Sequence, residues 1–169
     1  MKTLYAVSCT VMLAASSALV AVSWADGNST PKPASPIYGV TIPDGYRQWE
    51  LIAPALEAAP LNELHAVVGN GVAVDAYKRD AIPFPDGTIL VKLAWKKMQS
   101  EFETASVPGT PTTVQVMVKD SKKYSATGGW GYGRFINGKP VDEAQHQTCS
   151  ACHEGLAKDH DDVITRYAR

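Results

Sequence analysis

Pro85-Asp86-Gly87-Thr88-Ile89-Leu90-Val91-Lys92-Leu93-Ala94-Trp95 decides how this chain folds. Pro-Asp-Gly is a turn signal, because proline presets φ and glycine accepts the left-handed backbone that closes a turn. The residues from Thr88 to Trp95 are rich in β-branched and apolar side chains and long enough for a central strand. Downstream, Val114-Gln115-Val116-Met117-Val118-Lys119 alternates apolar with polar, the signature of a second strand with one face buried. Gly128-Gly129 opens a third, Trp130 to Ile136, closed by the hairpin-type turn Asn137-Gly138.

Upstream, Leu64 to Val68 reads as a strand and Val72 to Tyr77 as a short helix or irregular connection. Tyr46, Trp49, Ile52 and Ala53 fall at helical spacing after the turn Pro43-Asp44-Gly45, which predicts a short amphipathic helix ending at Pro54. Asp142 to Tyr167 is predicted helical in two pieces around a cysteine motif. No repeat is visible. Helix, strands, then helix predicts an α+β fold: a mainly antiparallel β-sheet with short helices and a C-terminal helical segment.

The chain has 169 residues, 45% hydrophobic and 20% charged, which suits one domain. Sixteen Lys+Arg against seventeen Asp+Glu give a net charge of -1, so there is no basic field to hold nucleic acid. Met1-Lys2, the apolar run Leu4 to Val22 and Ser23-Trp24-Ala25 follow the plan of a secretory signal peptide over residues 1–25, cleaved before Asp26. A retained membrane anchor is the competing reading of that run. Residues 26–36 are rich in Ser, Pro, Asn and Thr and are expected to be a flexible leader, with the domain proper over 37–169. Cleavage removes Cys9 and leaves Cys149 and Cys152 in an exported, periplasmic chain. A domain of this size buries enough surface to need no staple, so the pair is expected to serve chemistry.

Cys149-Ser150-Ala151-Cys152-His153 is the C-x-x-C-H attachment sequence for c-type haem. Two thiols three positions apart can each add to one vinyl group of a single haem, and the next residue offers its imidazole to the iron. A thioredoxin-like pair would want a βαβ setting. Zinc would need four ligands, with His65, His146 or His160 completing the set. The haem reading also agrees with export. No methionine follows His153, and Met98 and Met117 in predicted strands suit core filling. One covalently attached haem c is therefore expected, with His153 its axial iron ligand and the opposite face open to a small ligand.

The run Pro85 to Lys92, Val118-Lys119-Asp120-Ser121, Gly129-Trp130, the cysteine motif and Asp162-Val163-Ile164-Thr165-Arg166-Tyr167 resemble the cytochrome P-460 family, including its cytochrome c′-beta relatives. The resemblance implies a mainly antiparallel fold, a homodimer and five-coordinate haem. Its members oxidise hydroxylamine or bind nitric oxide and similar diatomics. In the enzymatic branch a lysine in a D-G-T-x-x-V-K block is bonded to the porphyrin edge, which makes Lys92 the candidate crosslink. Lys92 shares a strand face with Leu90 and Ala94, an apolar setting suited to an unprotonated amine. A solvent-facing lysine on an edge strand, beside Lys96, is the competing placement.

Oxidation also needs a base on the open face. The resemblance implies a distal carboxylate, for which only Asp142 and Glu143 on a connection present themselves. Arg134 and Tyr132 are candidate hydrogen-bond donors to a bound ligand. His65 reads as a sheet-face histidine, Trp49, Trp95, Phe84 and Phe135 as core, and Arg166 and Tyr167 as partners for a haem propionate. Three functions follow: an oxidoreductase acting on hydroxylamine that passes electrons to a soluble cytochrome, a binder or sensor of nitric oxide or carbon monoxide, and an electron carrier with Met117 or His65 on the sixth site.

Overall fold

The Pro85-Asp86-Gly87 turn delivers the chain into the middle of a sheet. In the computed structural model, which describes residues 31–169, six antiparallel strands pair in sequence order. They are β1 (Glu50–Glu57), β2 (Glu63–Gly69), β3 (Ile89–Gln99), β4 (Ser106–Lys119), β5 (Trp130–Ile136) and β6 (Lys139–Pro140). Helix α1 (Gly71–Lys78) joins β2 to β3, and α2 (Glu143–Gln147) and α3 (Cys149–Ala157) follow β6. Each strand lies beside its neighbour in sequence, which short connections favour. The α+β class read from the sequence is the observed one. The stretch expected to be a signal peptide, and the start of the expected leader, lie outside the described residues.

Side chains alternate across a strand, so the pairing register determines what shares a face. Val68, Val91, Val116 and Gly133 form one row across four strands, backed by the buried Phe135. At Gly131 on that face a Cβ would stand 2.3 Å from the Tyr124 ring. Only glycine lets Tyr124 lie there and donate its hydroxyl to Tyr38 O, at 3.0 Å. The opposite face carries Val67, Lys92, Gln115 and Arg134 in one register row.

Three expectations are corrected. The stretch from Tyr46 to Pro54 is not a helix: a 3-10 turn over Tyr46–Gln48 leads into β1. The pairing register shifts between Leu51 and Ala53, and this bulge turns Ile52 fully inward, which breaks the alternation and mimics helical spacing. Pro54 is tolerated because β1 is an edge strand. The leader ends before Pro36, because Ala34 bridges Thr41 and buried Ser35 donates to Tyr132 O at 2.8 Å. The C-terminal helical structure stops at His160, where Asp161 and Asp162 take left-handed backbone (φ 52° and 61°) and start an extended tail.

Asn70 ties α1 to the turn that launches β3. Its Oδ1 accepts from Ala73 N at 3.0 Å and from Ile89 N at 3.1 Å, while Nδ2 donates to Gly87 O at 2.8 Å. Asn70→Ala removes a helix cap and strands two further backbone groups, so it is expected to cost about 2 kcal/mol. Chemical denaturation measures this, and Asn70→Asp, which keeps the acceptor, should lose less.

Candidate functional site

The row Val67, Lys92, Gln115 and Arg134 forms the floor of a cavity of about 320 Å³. Leu90, Met117 and Tyr132, neighbours in the next register row, extend that floor. Glu57, at the end of β1, and His65 of β2 close one side, and Cys149, Cys152, His153 and the tail residues Val163 to Thr165 form the facing wall. β3 is central in the sheet, so Lys92 is not an edge-strand lysine, and its side chain is only 22% exposed.

His146 docks the helical wall onto the sheet. Fully buried, it donates from Nδ1 to Asp142 O at 2.8 Å and accepts Arg134 N–H on Nε2 at 3.1 Å. A neutral ring with its proton on Nδ1 satisfies both bonds. Asp142 caps α2 by accepting Gln145 N–H at 2.9 Å, and α3 starts at Cys149 straight after. Cys149, Cys152 and His153 stand at i, i+3 and i+4, which a helix stacks on one face. Burial pushes the Cys149 thiol up, with Arg134 opposing the shift. His153 is tied through Nδ1 to Asp162 O at 2.9 Å, which leaves Nε2 as the nitrogen available to a metal. Burial lowers its pKa and the Asp162 bond opposes that, so the ring is held neutral, as a metal ligand must be.

Across the cavity, Lys92 Nζ meets Glu57 Oε1 at 2.5 Å. His65 Nδ1 lies 3.5 Å from the same oxygen, within ion-pair reach but without hydrogen-bond geometry. Glu57 Oε2, His65 Nδ1, Tyr132 OH and Arg134 Nε are buried without a hydrogen-bond partner among the described residues. Buried polar atoms are nearly always paired, so four orphans around one cavity mark the place of a ligand. Burial, then Lys92, lowers the His65 pKa below 6.5, with Glu57 and Glu63 opposing. The unfolded chain therefore takes up this proton first as pH falls. The haem-free protein is expected to lose stability from about pH 6.5 downward until the folded-state value is passed. His65→Gln should flatten that part of the profile, read by denaturant melts at pH 7 and pH 5.

The residues singled out in the sequence converge here: Cys149, Cys152, His153, Lys92, Arg134, Tyr132, Met117 and His65 all line the cavity. Met98 does not, standing half exposed on β3. Asp142 and Glu143 do not reach the site as the missing carboxylate. Glu57 does, and the amide of Gln115 also lines the cavity. Arg166 and Tyr167 also lie elsewhere: Arg166 donates to Val163 O at 2.6 Å, and Tyr167 donates to Glu50 at 2.7 Å. Phe84 and Phe135 are buried core, with Trp49 and Trp95 packed against it.

Two thiols and a neutral imidazole on one helix face, opposite a floor whose apolar part is Val67, Leu90 and Met117, suit a haem, a large flat apolar ring held at one edge. No curated protein matches the sequence. The family described as Cytochrome P460 matches residues 43–165, from the turn before β1 to the tail beyond His153. That span holds the whole sheet, every residue of the cavity and the helix that brings its thiols together, so this is a haem-binding chain that belongs to the cytochrome P460 family.

Proposed function

We propose that this chain is an exported, periplasmic mono-haem c-type cytochrome with an open iron site that oxidises hydroxylamine. Cys149 and Cys152 hold the haem by two thioethers and His153 is its axial ligand. The observation that carries the reading is Glu57: a carboxylate with one unpartnered buried oxygen, on the cavity that His153 also borders. The haem supplies an iron that binds a small nitrogenous ligand and accepts its electrons. Glu57 takes up protons that the substrate releases. Arg134 and Gln115 are placed to orient a polar ligand, while Val67, Leu90 and Met117 restrict water. A soluble cytochrome receives the electrons, and the working form is a homodimer.

One observation favours a second reading, a binder of nitric oxide or carbon monoxide. The Lys92 amine is engaged by Glu57, and a lysine held in an ion pair is not free to bond to the porphyrin edge. A third reading, an electron carrier, rests on Met117 and His65, both of which reach the cavity. The optical spectrum of the ferrous protein separates the three. A strongly red-shifted Soret band is expected from a crosslinked enzyme, a normal high-spin five-coordinate band from a binder, and a low-spin band from a carrier. Peptide mass mapping gives the second readout: in the enzyme the Lys92 peptide is expected to carry haem mass, and its recovery free of haem rules the crosslink out.

A further inference from the structure

The tail that leaves the haem helix is held by an ion pair at the end of β4, two residues beyond Met117 of the cavity floor. Lys119, the last residue of β4, has a side chain only 6% exposed, and Asp161 is 13% exposed. Lys119 Nζ donates to both Asp161 oxygens at 2.7 and 2.8 Å and to Gly128 O at 2.9 Å. It also sits 4.8 Å from the centre of the Trp130 ring. Asp161 is fixed from two further directions, accepting Phe84 N–H on Oδ2 at 2.8 Å and Trp130 Nε1–H on its carbonyl at 2.7 Å. The next residue, Asp162, is the one whose carbonyl meets His153 Nδ1 at 2.9 Å. Gly128 makes room for it, since a Cβ there would stand 2.6 Å from Asp162 Oδ2.

A buried ion pair returns little net stability, because desolvating both charges offsets most of their attraction. What this pair does specify is position: it pins the two left-handed residues that aim the Asp162 carbonyl. We propose that Lys119 and Asp161 are positioning residues for the axial ligand, acting through the Asp162 carbonyl on His153. A carbonyl held on Nδ1–H fixes the tautomer and makes the ring a stronger donor to iron. A stronger donor favours the ferric state and so lowers the reduction potential. The inference rests on His153 being the axial ligand, as in the proposed function.

The experiment compares Lys119→Met and Asp161→Asn in the holoprotein. Both are expected to raise the ferric/ferrous midpoint, shifting the ratio at fixed poise at least about threefold, which is about 28 mV for one electron. The shared sign is the diagnostic outcome. Direct electrostatics would lower the potential when a cation is removed and raise it when an anion is removed, so shifts of opposite sign overturn the proposal. So do two unchanged potentials, with Val91→Ala, a buried position on the opposite face of the sheet, as the control for loss of stability alone. Should Lys119→Met not fold, Asp161→Asn, which keeps an oxygen for Phe84 N–H, carries the test together with nitrogen NMR of the haem-free protein. There His153 of the wild type is expected as the Nδ1–H tautomer and that of Asp161→Asn as a mixture, and an unchanged tautomer overturns the clamp. If instead the purified protein lacks haem on Cys149 and Cys152, the proposed function fails, while the NMR comparison still decides the clamp.

Discussion

Serine at both Cys149 and Cys152 is expected to abolish covalent haem retention. The two thiols are one helical turn apart on the face that borders the cavity, and neither is in a disulfide. Residues 31–169 hold no other cysteine to replace either bond. Each single variant keeps one thioether and should retain haem after denaturation, whereas the double variant should lose all of it to acidified acetone. Intact mass of the denatured protein reads this directly, as the chain mass with or without one haem. Serine is close in size to cysteine, Cys149 is only half-buried and Cys152 is exposed, so the haem-free double variant should still fold. Haem retained by the double variant after denaturation would place the attachment elsewhere.

The second large effect is expected at Glu57. Glu57→Gln keeps the shape of the side chain and removes its capacity to accept a proton. A positioned general base contributes about 10²–10⁴-fold, so hydroxylamine oxidation should fall by that factor, equivalent to about 3–5 kcal/mol of barrier. Haem content should be unchanged, and so should affinity for nitric oxide, which gives up no proton on binding. The ratio of the two activities therefore matters more than either alone. Equal loss of both would mean that Glu57 only shapes the cavity, and an unaltered oxidation rate would remove it from the proposed chemistry.

Glu57 also shows where a sequence stops being legible. It lies thirty-five positions before Lys92, and the two meet only because β1, β2 and β3 pair in one register. Nothing local marks it, and the bulge at Ile52 gives the first part of its strand, up to Pro54, the spacing of a helix. β3 is readable from the β-rich run after Pro-Asp-Gly, β4 from its alternation between Val114 and Lys119, and β5 from Gly-Gly and Asn-Gly at its ends, whereas Ser106 to Thr113 of β4, where the pairing with β3 slips twice, carries no such signal. Cys149, Cys152 and His153 were readable because their chemistry fixes their spacing. Asp161 and Asp162 were not, because left-handed backbone at two successive aspartates leaves no periodic trace. His146, a candidate metal ligand by residue type, has both its nitrogens bonded to backbone.

The register row beneath the cavity has a consequence for how this site can be lost or rebuilt. Val67, Lys92, Gln115 and Arg134 share a face through pairing alone, so a residue inserted or deleted within one strand turns that strand's contribution away from the cavity. One residue added within β3 ahead of Lys92 would send that amine to the Val91 side and bring an apolar side chain to the cavity. Added at the exposed tip between β3 and β4, beside Phe102, the same residue would be absorbed as loop length at little cost. Length change, more than substitution, separates the parts of this chain that can drift from those that cannot.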